Sequence, residues 1–174
     1  MNVIRVLYEN YDMDKREAED LLDFVAMATV CDVMSLTGEN RILVKEGLKR
    51  IRHTKNIGLQ ALMQACNVQP ENISAYHFGY VLGPCVNATG RLDTARHALR
   101  LFETGQETEA EEIARDLVDL NQERKELTLQ GVEMAKKLCE EGGYENDPVL
   151  VLFLPDVHES IAGLIAGRIR EMYN

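Results

Sequence analysis

Residues 104–143 read TGQETEAEEIARDLVDLNQERKELTLQGVEMAKKLCEEGG, and this stretch decides the fold. Thr104 followed three residues later by Glu107 fits a capping box, and Gly142-Gly143 supplies a stop. Between them, positions 110, 113, 117, 120, 124, 127, 131, 134 and 138 repeat in a 3-4 pattern, apolar except at Arg124 and Gly131. One apolar seam along so long a helix predicts a strut between two bodies, with a coiled-coil pair as the other reading.

Upstream of the strut the signals are helical. A short apolar stretch, Val3 to Tyr8, precedes Asp14-Lys15-Arg16-Glu17, which reads as a helix start with Asp14 as N-cap. The run from Ala18 to Met34 is apolar on nearly all sides, so it demands burial on nearly all sides. A turn at 37–40 leads to a helix in which Ile42, Leu48 and Ile51 share a stripe. Helices are expected at about 56–66 and 72–80, the second capped by Asn72. Gly83-Pro-Cys-Val-Asn-Ala-Thr-Gly-Arg-Leu92 reads as a shaped loop, with a helix from Asp93 to Phe102 after it. Downstream, Pro148 to Leu154 reads as an apolar strand, and Ile161 to Arg168 as a small-residue helix. The fold class is mostly α. A lone strand and helix do not bury their own apolar faces, so both ends of the sequence look cut.

The 19 basic and 29 acidic residues give a formal charge of -10, which speaks against general attraction to nucleic acid. Distribution matters more than the average. Residues 41–55 carry Arg41, Lys45, Lys49, Arg50, Arg52 and Lys55 against Glu46 alone, and such a run is read first as a solvated helix face, a DNA contact being the other reading. Cys31, Cys66, Cys85 and Cys139 show no metal or disulfide spacing and read as free thiols in a reducing cytoplasm. No apolar run approaches the ~18 residues of a membrane span, and no signal peptide opens the chain. His53, His77 and His97 read as structural or exposed, without a ligand partner at metal spacing.

Four segments in order carry a resemblance: Leu22 to Leu36, Gly38 to Leu48, Gly83 to Leu92, and His158 to Arg168. The linking Leu120-Asn-Gln-Glu-Arg-Lys125 fits as well. Together they are similar to RecJ-type single-stranded-DNA exonucleases of the DHH phosphoesterase superfamily. The resemblance implies that this is a piece of an α/β parent: the C-terminal part of a DHH-type catalytic domain at 1–103, a connecting helix at 104–143, and the start of a substrate-binding second domain at 144–174. It implies a parent hydrolase that removes nucleotides from single-stranded DNA in the 5′ to 3′ direction, in recombination and repair, using two Mn2+ or Mg2+ ions. The alternatives are an oligonucleotide or cyclic-dinucleotide phosphodiesterase of the same superfamily, or a replication scaffold without activity.

Asp32 alone lies where that family places a metal ligand; by itself it reads as a helix-end residue. One carboxylate does not hold two ions, so this chain alone is expected to be inactive. In the 83–92 segment, Gly83 and Gly90 would let a backbone approach, Asn87 would donate from its amide, and Arg91 would fork onto phosphate oxygens. The free N–H groups of the helix from Asp93 would face the same place. The resemblance implies that Asn87 and Arg91 touch the DNA; an Asx-turn and a surface Arg are the plainer reading. His158, Ser160, Gly163 and Arg168 are implied phosphate contacts, although Val157 and Glu159 replace the Trp and Gly of many relatives. Close helix–strand packing is the alternative for Gly163 and Gly167. The partners expected are single-stranded DNA and no membrane, with self-association through the over-apolar 18–34 surface.

Overall fold

The computed structural model describes residues 2–14, 18–144 and 147–173, and every regular element among them is helical. The helices are α1 (Asn2–Asn10), α2 (Leu22–Cys31), α3 (Gly38–Arg50), α4 (Ile57–Ala65), α5 (Gly83–Leu92), α6 (Ala95–Glu103), α7 (Glu107–Gly142) and α8 (Glu159–Tyr173). The helix start expected at 14–17 includes residues 15–17, which lie outside the described residues.

Local chemistry places the ends. Asn56 caps α4 by accepting the Leu59 N–H at 2.9 Å. The helix expected to be capped by Asn72 starts instead after Ser74, which forms a capping box with His77. That single turn, Ala75–His77, runs through a π turn, Phe78–Leu82, into α5. Pro84 has no N–H to give an i−4 carbonyl, and the π turn before it relieves that demand. The expected loop at 83–92 is therefore a helix. Asp93 breaks it, at φ −141° and ψ −136°, and Thr94 caps α6, so the next helix begins at Ala95 rather than Asp93.

Helix α7 has 36 residues, about 54 Å of rise. Its expected capping box is not formed. Thr104 Oγ1 accepts the Gln106 N–H at 3.2 Å and donates to the Glu109 carboxylate. Gly143, at φ +68°, closes the other end in the left-handed region. The buried positions are Ala110, Ile113, Ala114, Leu117, Asn121, Gly131, Val132, Ala135 and Cys139, while Met134 and Leu138 are exposed. The strict 3-4 seam holds for two turns and then slips by one residue. A straight helix turns every 3.6 residues and drifts about 20° per heptad against a 3.5 repeat, so the slip accumulates along α7.

Two separate apolar clusters use this helix. The first half of α7 packs with Ile51, Leu59, Leu62, Phe78 and Leu82 among others. The second half, through Val132, Ala135 and Cys139, packs with Ile161, Ile165 and Ile169 of α8. Gly131 faces α8: a Cβ there would meet the tip of the Ile165 side chain. The residue that interrupts the seam in sequence thus sits in the contact between the two helices.

Helix α2 lies on α3 through Leu22, Ala26 and Met27, and Gly47 of α3 sits where a Cβ would overlap Ala26 and the Leu22 carbonyl oxygen. The α3 stripe is Val44, Gly47 and Ile51, with Leu48 half-buried; Ile42 points outward, 63% exposed. The basic 41–55 stretch is partly neutralised, by Lys49–Glu46 at 2.7 Å and Arg50–Glu19 at 2.5 Å. Residues 148–154, expected as a strand, form neither strand nor helix. A strand needs a neighbour for its ladder, and none is present among the described residues.

Candidate functional site

Helix α5 sets the first part of the site. Asn87, Gly90 and Arg91 stand at i, i+3 and i+4 and share one face of it. Asn87 and Gly90 are exposed, and a Cβ at Gly90 would meet nothing within 4 Å. Gly83 is different: it is buried, and its missing side chain makes room for Cys31. Its glycine serves packing rather than approach of a ligand.

Arg91 reaches across to α8. Its Nη1 donates to the Ser160 carbonyl oxygen at 2.7 Å, over 69 residues of sequence. Beside it, Ser160 Oγ lies 2.7 Å from His158 Nδ1, and the Ser160 backbone N–H donates to the same nitrogen at 3.3 Å. That N–H makes Nδ1 the acceptor and puts the imidazole proton on Nε2. The structure therefore brings together Arg91, His158 and Ser160, with Asn87 one turn away on α5.

Arg124 completes the cluster, and the sequence reading passed over it as a flaw in the seam. Its Nε and Nη2 donate to Asn121 Oδ1 at 3.2 and 3.0 Å. Asn121 is itself buried, at 5% exposure, and its Nδ2 donates to Cys85 Sγ at 3.5 Å. Burial holds the Arg124 guanidinium below its ordinary pKa, and the like charge of Arg91 pushes the same way. Among the described residues neither Arg91 nor Arg124 makes an ion pair with a carboxylate. Each guanidinium carries five N–H donors in a fork suited to phosphate oxygens, and these contacts use only some of them. The sequence carried little signal for it: Arg124 interrupts the seam, and Asn121, its partner, is not on the seam as read from the sequence.

The other expected residues stand apart. Asp32 ends α2 as an exposed C-cap residue. Its neighbour Cys31 lies against Gly83, the opposite end of α5 from Arg91, roughly 12 Å away along the helix. Arg168 is eight residues down α8 from Ser160 and pairs with Glu171 at 3.4 Å. Gly163 and Gly167 have nothing within 4 Å of a built Cβ, so close packing does not explain either. His97 does have acidic neighbours: Nδ1 is 2.9 Å from Asp93 and Nε2 is 3.6 Å from Asp116. Among the described residues no group of three or more His, Cys, Asp or Glu is placed to hold a metal ion. Asp32 alone does not fit the two-ion centre of the resemblance. No helix described is long and apolar enough to cross a membrane.

No family model matches the chain. Individual proteins do. It is 38% identical over 160 residues to the single-stranded-DNA-specific exonuclease RecJ of Escherichia coli (strain K12), covering 89% of this chain and 28% of that protein. A crystal structure of RecJ in complex with Mn2+ from Thermus thermophilus superposes with TM-score 0.82 at 33% identity, covering 97% of this chain and 24% of that one. A crystal structure of exonuclease RecJ bound to manganese gives TM-score 0.83 at 32% identity, covering 97% and 42%. The chain spans about a quarter of the length of the curated relatives it matches. Over nearly its whole length it is homologous to part of the RecJ exonucleases.

Proposed function

We propose, from that homology, that this chain is the phosphate-holding part of a 5′-to-3′ single-stranded-DNA exonuclease. Arg91 and Arg124 grip the strand, with Asn87, His158 and Ser160 beside them. The observation that carries this reading is the pair of adjacent guanidiniums without a carboxylate partner among the described residues. A phosphate between them relieves their repulsion and satisfies their spare donors. Contacts of this kind position a strand without reading its sequence.

In this reading 1–103 belongs to a catalytic domain, α7 connects it to a second domain, and α8 opens that domain. The strand lies where α5, α7 and α8 meet. Hydrolysis then requires metal ligands beyond Asp32, and this chain alone holds the strand without cutting it. The test is anisotropy of a 5′-phosphorylated single-stranded oligonucleotide against salt. Each phosphate held on a single strand contributes about 0.7 to the slope of log K against log salt. Arg91→Gln and Arg124→Gln are each expected to weaken binding to all sequences alike and lower that slope. Unchanged slopes in both variants refute the assignment.

A further inference from the structure

Two of the free cysteines lie side by side. Cys66 ends α4 and is half-buried; Cys85, on α5, is buried. Their Sγ atoms are 3.8 Å apart, although 19 residues separate them in sequence. Cys85 Sγ also approaches the Val81 carbonyl oxygen at 3.3 Å and receives Asn121 Nδ2 at 3.5 Å. The other end of that amide, Oδ1, takes both hydrogen bonds from Arg124. One buried side chain thus touches the thiol pair on one side and a guanidinium of the anion site on the other.

We propose that Cys66 and Cys85 form a peroxide-sensitive dithiol, whose closure to a disulfide draws Cys85 off Asn121 and loosens Arg124. The second half rests on the phosphate-binding reading above; the first does not. A disulfide needs the sulfurs at about 2.05 Å, so they must close by about 1.8 Å. Cys66 is at a helix end, followed by Asn67 at φ +55°, so it lies outside the regular body of α4.

The chemistry balances with hydrogen peroxide as oxidant. The Cys85 thiolate attacks one peroxide oxygen: the O–O bond breaks, an S–O bond forms, and the departing hydroxide takes up a proton as water. The Cys66 sulfur then attacks the sulfenic sulfur: the S–O bond breaks, the S–S bond forms, and the departing hydroxide takes the Cys66 proton. Two thiols and one peroxide give one disulfide and two waters. The hydrogen bond from Cys66 holds the Cys85 thiol below its ordinary pKa against the effect of burial, and Asn121, Lys125 and Arg124 help. Cys66 is the more exposed of the two cysteines, and the balance is the same if the roles of the two are exchanged.

The experiment treats the purified chain with hydrogen peroxide, alkylates the remaining thiols, and maps peptides by mass spectrometry. A Cys66–Cys85 cross-linked peptide is expected, lost on dithiothreitol treatment, with Cys31 still alkylated. In Cys66→Ser and Cys66→Ala the cross-link is absent. Cross-links scattered over all four cysteines, or none to Cys85, overturn the dithiol. In parallel, the oxidised chain is expected to bind a 5′-phosphorylated oligothymidine several-fold more weakly, reversibly, and Cys66→Ser is expected to be insensitive. A cross-link with unchanged binding overturns the connection through Asn121. If Arg91→Gln and Arg124→Gln also leave binding unchanged in the reduced chain, the phosphate-binding reading is what has failed, and the cross-link stands on its own.

Discussion

The same substitution, Gly to Ala, is expected to have opposite effects at two helical positions of this chain. Gly163 is inside α8, and a Cβ there meets nothing within 4 Å. Glycine in a helix interior is about 1 kcal/mol worse than alanine, so Gly163→Ala gains about that much with nothing to offset it. For a chain of this size the melting temperature rises by about 2–4 °C. Gly47 is inside α3, and its Cβ would overlap Ala26 Cβ and the Leu22 carbonyl oxygen. The propensity gain is the same, but backbone does not rotate away as a side-chain tip does. Helices α2 and α3 must separate, and overpacking of this kind costs about 1–3 kcal/mol. Gly47→Ala therefore loses about 1 kcal/mol net. Urea and thermal unfolding followed by far-ultraviolet circular dichroism measure both. There is a second readout. If a phosphate backbone passes over Gly163, the added methyl weakens oligonucleotide binding in a chain made more stable. A lower melting temperature for Gly163→Ala, or a higher one for Gly47→Ala, refutes the packing argument. Unchanged affinity in Gly163→Ala removes that residue from the DNA path.

Incubated with Mn2+ and 5′-phosphorylated single-stranded DNA, the chain by itself is expected to release no nucleotides; metal-dependent digestion in a gel assay would show that Asp32 has partners not identified above. Leu117, fully buried in the first cluster, is expected to cost about 2–5 kcal/mol as Leu117→Ala, read as a lower urea midpoint. The Glu109 carboxyl is held below its ordinary pKa by the Arg100 hydrogen bond and then by Thr104. A depressed carboxylate stabilises above its unfolded pKa and loses that contribution as pH falls through the folded one, so the melting-temperature gap between wild type and Glu109→Gln should close below about pH 4. Val151, 88% exposed, borders an open apolar groove of about 620 Å³ between residues 147–157 and α8, and Phe153 nearby in sequence is 83% exposed. Self-association at high concentration is expected through the 18–34 surface, with this groove as a second apolar face, and sedimentation as a clean monomer counts against it.

Much of the helical order was legible in the sequence because apolar periodicity and breakers mark it: Gly143 stops α7 where the sequence places a stop, whereas the caps expected at Asn72 and Thr104 did not form and Ser74, Asn56 and Thr94 cap helices instead. What misled was local composition read without its neighbours. Gly83, Pro84 and Gly90 look like a loop, yet a side chain at Gly83 would meet the Phe78 carbonyl oxygen and Cys31, and Pro84 follows a π turn, which no propensity scale anticipates. Gly131 looked like a flaw in the seam for the same reason, since it faces Ile165, 34 residues further on. The site divided similarly. The resemblance singled out Arg91, His158 and Ser160, and the fold brings these three residues together. Arg124 was hidden because its meaning depends on a tertiary neighbour of the same charge.

That like-charged pair bears on the net charge as well. A chain with 29 acidic and 19 basic residues has carboxylates in excess, and several surface bases find one: Arg50, Arg100 and Arg168 all do. Against that background Arg91 and Arg124 stand close together, partly buried, with a backbone carbonyl and an amide oxygen as their partners. Neutral acceptors fix where a guanidinium points without cancelling its charge. The arrangement costs stability in the free chain through desolvation and repulsion, and an anion recovers that cost on binding. In the proposed reading the overall negative charge works with the site, because it repels nucleic acid from the rest of the described surface. Binding should accordingly be local and strongly dependent on these two residues. A polyanion that binds equally well after both are replaced by glutamine would mean that the charge pattern has been read wrongly.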